Sequence, residues 1–76
     1  MRGREIVVEG SVVEEVTEEE EHSHYRIKTK RKEYDVVSNG IQAIKDQIFI
    51  RKGQNMVVEG AEKDDVIIAR KSKIII

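Results

Sequence analysis

Apolar and polar residues alternate along most of this chain, at the two-residue period of strands that bury one face. The longest such stretch is Glu5 to Thr17. Ile6, Val8, Gly10 and Val12 share one face there, and Val7, Glu9, Ser11 and Val13 share the other. Valine on both faces is untidy for a half-exposed strand, and a glycine inside a strand marks a bulge, a bend or a close backbone approach. The pattern predicts one long strand that bends near Gly10, lying in one sheet with its first half and in a second with its last. The run Glu18–Glu21 cannot be buried and reads as the solvated loop that ends it.

His24 to Lys30 puts Tyr25, Ile27 and Thr29 on one face and His24, Arg26, Lys28 and Lys30 on the other. Glu33 to Ser38 alternates too, with Tyr34 and Val36 together. A two-residue turn at Arg31-Lys32 would set Thr29 opposite Tyr34 and Ile27 opposite Val36. It would also pair Lys30 with Glu33 and Lys28 with Asp35, as opposite charges across the strands. Arg-Lys lacks the positive-φ preference of Asn-Gly, which makes this turn the weak part of the reading.

Asn39 is a candidate helix cap, and Gln42 three residues on completes a capping box. Ile41, Ala43, Ile44 and Ile48 then suit one face of a short helix over residues 40–47; Ile48-Phe49-Ile50 fits its last turn or an extended segment equally. Gly53 opens a final hairpin of Met56 to Gly60, a polar turn over Glu62 to Asp65, and Val66 to Ala69. Val-Val-Glu-Gly at 57–60 echoes 7–10, which suggests two strands with similar neighbours. The apolar end Lys73-Ile74-Ile75-Ile76 is expected to pair with another strand, since an exposed one invites aggregation.

The elements run strand, strand, strand, short helix, strand, strand. With Gly10 central in the first strand and Gly-Gln-Asn-Met-Val-Val-Glu-Gly at 53–60, the chain resembles the OB-fold (oligonucleotide/oligosaccharide-binding) superfamily over nearly its whole length. The resemblance implies a mainly β domain spanning residues 1–76, a five-stranded Greek-key barrel with one short helix between strands three and four. The competing SH3-like barrel normally lacks that helix. The inner face is expected to hold Val8, Val12, Tyr25, Ile27, Tyr34, Val36, Ile44, Met56, Val58, Ile67 and Ala69.

Charge adds more than composition does. Charged residues make up 38% of the 76 positions, yet the net charge is −1. The charges are segregated: residues 1–23 hold two arginines against eight glutamates, and residues 24–32 hold five cations and no acid. Electrostatic attraction must therefore act through a patch rather than a net field. OB-fold members often bind nucleic acid across strands two and three and the adjoining loops. Here that surface is Arg26, Lys28, Lys30, Arg31 and Lys32, a positive stripe of the kind that tracks phosphates. Cross-strand pairing accounts for Lys28 and Lys30, leaving Arg26, Arg31 and Lys32 without an obvious partner, and the Glu18–Glu21 run would repel nucleic acid nearby. The chain departs from single-strand binders in its aromatics, because the alternation sends Tyr25 and Tyr34 inward.

Other chemistries find less support. His22 and His24 could converge on a metal beside Glu20 and Glu21, but no third ligand is suitably spaced, and solvent-exposed histidines are the expectation. No cysteine is present, and no Gly-x-Ser-x-Gly motif or phosphate-cradling glycine loop occurs. Neighbouring carboxylates such as Glu14-Glu15 and Asp64-Asp65 come with charge-dense turns. The expectation is a non-enzymatic module with no catalytic residues, metal or cofactor. No membrane-spanning run or signal-peptide core is evident, which suggests the cytoplasm. The favoured ligand is single-stranded nucleic acid with little sequence preference. The alternative is a protein partner or self-association, through a sheet edge or the Ile74–Ile76 end.

Overall fold

The computed structural model describes residues 3–19 and 22–75. Five strands and one helix follow in the order β1 (Arg4–Glu19), β2 (His22–Lys28), β3 (Glu33–Asn39), α1 (Gly40–Phe49), β4 (Asn55–Lys63) and β5 (Val66–Ile74). The strands close into a barrel in the order β1-β2-β3-β5-β4. β3 and β5 run parallel, and the other neighbours are antiparallel.

β1 closes the barrel by serving two partners. Arg4 to Ser11 pairs with β4, and Ser11 to Glu19 pairs with β2, with register shifts on the second half. Gly10 sits at the changeover. A Cβ there would collide with the Lys28 carbonyl oxygen, so only glycine lets the two strands cross this closely. Gly60 does the same against the Ile68 carbonyl beside a bulge in the β4–β5 ladder. The four-residue echo thus has a physical basis: β1 and β4 are antiparallel neighbours, and each turns a barrel corner at its glycine.

The core is Val12, Tyr25, Ile27, Tyr34, Val36, Ile50, Met56, Val58, Ile67 and Ala69, with Ile6, Val8 and Val16 half-buried against it. Every expected strand position is inside or packed against the cluster. The helix position is not: Ile44 is exposed. Ile41 and Ile48 are exposed as well, while Ala43 and Asp46 face the barrel. The barrel mouth explains the inversion, because polar side chains wall it. Ser38 Oγ donates to Asp46 Oδ2 at 2.5 Å, and Gln42 Nε2 and Ser72 Oγ donate to Oδ1 at 2.9 and 3.3 Å. Ser23, opposite Ser38 on β2, adds a longer contact at 3.4 Å. A buried carboxylate so supplied with donors is satisfied, and the helix seats through it rather than through isoleucine.

The expected capping box does not form. Gln42 is committed to Asp46 and Ser72, and the Asn39 side chain meets His22 across β2–β3 instead of capping the helix. Gly40 begins the helix at φ +59, a left-handed conformation that favours glycine. The helix runs to Phe49, two residues beyond the expected end, and Ile50 follows as a buried, extended C-cap. The last hairpin turns on Asp64-Asp65, both at positive φ, as a two-residue primed turn requires. β4 is longer at both ends than the alternation implied, and β5 starts at Val66 as expected but runs on to Ile74. β1 likewise extends through Glu18 and Glu19, which pair with Ser23 and His22, so these two belong to a strand and not to a loop; Glu20 and Glu21 lie outside the described residues. At the C-terminus Ile74 pairs with Met56, and the Ile75 N–H donates to the Asn55 carbonyl at 2.8 Å; Ile76 lies outside the described residues.

The pairing gives the barrel two distinct ends. The starts of β1, β3 and β5 gather at one, with the loop over residues 29–32 and the Asp64-Asp65 turn. The starts of β2 and β4, the end of β1 and the helix gather at the other.

Candidate nucleic-acid interface

β2 presents His24, Arg26 and Lys28 outward because Ser23, Tyr25 and Ile27 are buried. The parity is as expected, but the register is displaced by two residues. Ile27 lies opposite Tyr34 and Tyr25 opposite Val36, which places Lys28 opposite Glu33 and Arg26 opposite Asp35. The cause is Thr29. Its hydroxyl accepts from the Arg31 and Lys32 N–H groups at 3.2 Å and donates to the Lys32 carbonyl at 2.8 Å. The Thr29 N–H bonds the same carbonyl. This Ser/Thr-type turn stabilises a four-residue loop and spares Arg31 and Lys32 the positive φ of a two-residue turn.

The slip exchanges the ion pairs. Arg26 donates from Nε to Glu33 Oε1 at 3.0 Å and from Nη1 to Asp35 Oδ1 at 3.1 Å. The Glu33 hydrogen bond and then the Asp35 charge raise the guanidinium pKa further. Lys32 reaches Asp65 at 2.8 Å, and that hydrogen bond raises its pKa. Its Nζ also lies 5.8 Å from the Tyr34 ring centre. The anticipated pairs of Lys28 with Asp35 and Lys30 with Glu33 do not form. Among the described residues, Arg26 and Lys32 have acidic partners, and Lys28, Lys30 and Arg31 have none.

Lys30 and Arg31 line an open groove of about 500 Å³ against the first half of β1. Its apolar wall includes Ile6, Val7 and Tyr34, and Arg4 stands at its margin, paired with Glu62 at 3.4 Å. Val7 is exposed, whereas Tyr34 is buried and gives the groove little surface. Val7 and Arg4 are far from the hairpin in sequence, so only the β1–β4 and β1–β2 pairings reveal them as neighbours of the loop. Glu18 and Glu19 pair with the start of β2, at the other end of that strand from Lys28. About six residues at roughly 3.3 Å each separate the two, so these glutamates lie well away from the loop and not beside it.

His22 and His24 each face a side chain of β3, and Glu20 and Glu21 lie outside the described residues. His22 meets Asn39, and His24 Nε2 lies 3.2 Å from Asp35 Oδ1. No cluster of three potential metal ligands occurs among the described residues. No helix among them is long and apolar enough to cross a membrane.

No family model matches the chain, and no curated protein matches it. Solved structures do. A small single-stranded DNA-binding protein from Streptomyces coelicolor superposes with a TM-score of 0.89 at 16% identity, over 97% of this chain and 93% of that one. The mitochondrial single-stranded DNA-binding protein Rim1 from S. cerevisiae gives 0.81 at 17% identity, over 99% and 96%. TiaS, in a complex with a tRNA, AMPCPP and agmatine, gives 0.85 at 25% identity; this chain is covered over 96% but spans only 19% of TiaS. The strand order and these likenesses together establish an OB fold.

Proposed function

We propose that this chain is a non-enzymatic module that binds single-stranded nucleic acid at the β2–β3 loop and the adjoining outer face, with little sequence preference. The observation carrying this reading is that Lys28, Lys30 and Arg31, the cations of the basic run without acidic partners among the described residues, lie at the β2–β3 end of the barrel, where Lys30 and Arg31 line a groove with one apolar wall. Free lysine and arginine heads supply phosphate contacts, and the groove wall of Ile6 and Val7 offers an apolar rest for a base. Arg26 and Lys32 are held by carboxylates and contribute less. The similarity to two single-stranded DNA-binding proteins over nearly the full chain supports the same ligand class.

Fluorescence anisotropy with a labelled oligo-dT tests this. Three phosphate contacts predict a log–log salt dependence with a slope of about −2. Lys28→Glu with Lys30→Glu and Arg31→Glu should abolish binding, whereas Arg26→Gln should weaken it only slightly. Absence of binding at low salt, or binding unchanged in the triple variant, refutes the proposal. Strand addition at the C-terminal end is less well supported, because Ile74 and Ile75 are already bonded to β4.

A further inference from the structure

α1 carries its apolar residues on the wrong side for a helix packed on a barrel. Ile41, Ile44, Ile48 and Phe49 are 74%, 54%, 56% and 61% exposed, while Ala43 and Asp46 are buried. Ile41, Ile44 and Ile48 follow the i, i+3, i+7 spacing of one helix face as a stripe, and Phe49 lies beside them across Lys45. Beside the stripe runs a groove of about 620 Å³ between α1 and β4–β5. Phe49, Val57 and Ile74 give it an apolar lining, and Lys45, Lys71 and Lys73 rim it. None of these lysines has an ion-pair partner among the described residues. The acids bordering the groove are already engaged: Asp46 is buried in the serine–glutamine network, and Glu59 pairs with Arg70. The uncompensated charge around this apolar surface is therefore positive.

We infer that the α1 stripe and groove dock an acidic amphipathic helix of a protein partner, its leucine-type residues at i, i+3, i+4 and i+7 on the stripe and its carboxylates against Lys45, Lys71 and Lys73. Helix-in-groove recognition uses that spacing, and burying the stripe supplies affinity while the lysine rim selects sign. Charge decides against other occupants. A second copy related by a twofold axis would place one lysine rim against the other. Nucleic acid would satisfy the lysines and could stack one base on Phe49, but Ile41, Ile44 and Ile48 offer no stacking face, so most of the apolar surface would stay uncovered. The site shares no lining residue with the groove beside the β2–β3 loop, although Val57 and Glu59 of its wall pair with Glu9 and Val7 of that groove.

The test is an NMR titration of the ¹⁵N-labelled full chain with two designed helical peptides. Both carry leucine on one face; one has glutamate and the other lysine at the remaining positions. The glutamate peptide should produce saturable shifts at Ile41, Ile48, Phe49, Lys71 and Lys73 that weaken with salt, and the lysine peptide should not. Ile48→Glu, at an exposed site, should lose these shifts while keeping the amide dispersion of the folded barrel. Lys45→Glu with Lys71→Glu and Lys73→Glu should transfer binding to the lysine peptide. Lack of binding by the glutamate peptide, or equal binding of both, overturns the inference. So does a dimer in sedimentation equilibrium that Ile48→Glu dissociates, or an oligonucleotide that shifts these amides while the glutamate peptide does not.

Discussion

Tyr25→Phe removes a single oxygen from the centre of the barrel, and its effect follows from two observations. The Tyr25 side chain is fully buried, and its hydroxyl has no hydrogen-bond partner among the described residues. An unpaired buried hydroxyl costs about 1–3 kcal/mol relative to its hydrated state, and phenylalanine fills nearly the same space. The variant should therefore be more stable by about 1 kcal/mol at neutral pH. Burial, reinforced by the Asp46 carboxylate, pushes the phenol pKa well above its ordinary value. As pH rises past about 10, the unfolded chain releases that proton and the folded chain keeps it. The folded state then binds more protons than the unfolded one, so wild-type stability falls with pH. The variant lacks this term, and the gap in its favour should widen to about 2 kcal/mol near pH 11. Paired urea titrations at about pH 7 and about pH 11 measure both effects. A variant that is less stable at neutral pH, or a gap that does not change with pH, would refute the reasoning.

Asp46→Ala strips the acceptor from Ser38, Gln42 and Ser72 at the barrel mouth; urea denaturation should show a loss of about 3 kcal/mol, and a loss under about 1 would mean the helix seats by other means. Gly10→Ala forces a methyl group against the Lys28 carbonyl, which should cost about 1–3 kcal/mol by the same assay, while an unchanged midpoint would contradict the close crossing. Ile27→Ala empties a fully buried site opposite Tyr34 and should cost about 2–5 kcal/mol, with less than about 1 arguing against its place in the core.

The strand parities were legible because a two-residue period leaves one choice of face once charge is excluded from the core. Gly10 was legible for a related reason: a lone glycine among valines has few uses other than a crossing. Register was harder to read. Two patterns agreed on pairing Lys28 with Asp35, yet Thr29 builds its own turn from hydroxyl and backbone bonds, and local chemistry of that kind is invisible to alternation. That slip redistributed the candidate site. Arg26 and Lys32, which lacked sequence partners, have them in space, and Lys28 and Lys30 lose theirs. The helix misled for a different reason. Its isoleucines follow the period of a buried face, but the mouth they would plug is lined by Ser23, Ser38 and Ser72, contributed by three strands distant in sequence. A polar surface assembled from long-range pairing selects Asp46 over isoleucine, and one short apolar stripe cannot report it.

The measurement that bears most directly on function is an amide chemical-shift map of the full chain titrated with unlabelled oligo-dT at low salt. Ligation at the β2–β3 end predicts shifts concentrated in residues 28–34 and at Val7, fading as salt rises. Shifts confined to α1 and β4–β5, or none at any ratio of oligonucleotide to protein, would contradict it.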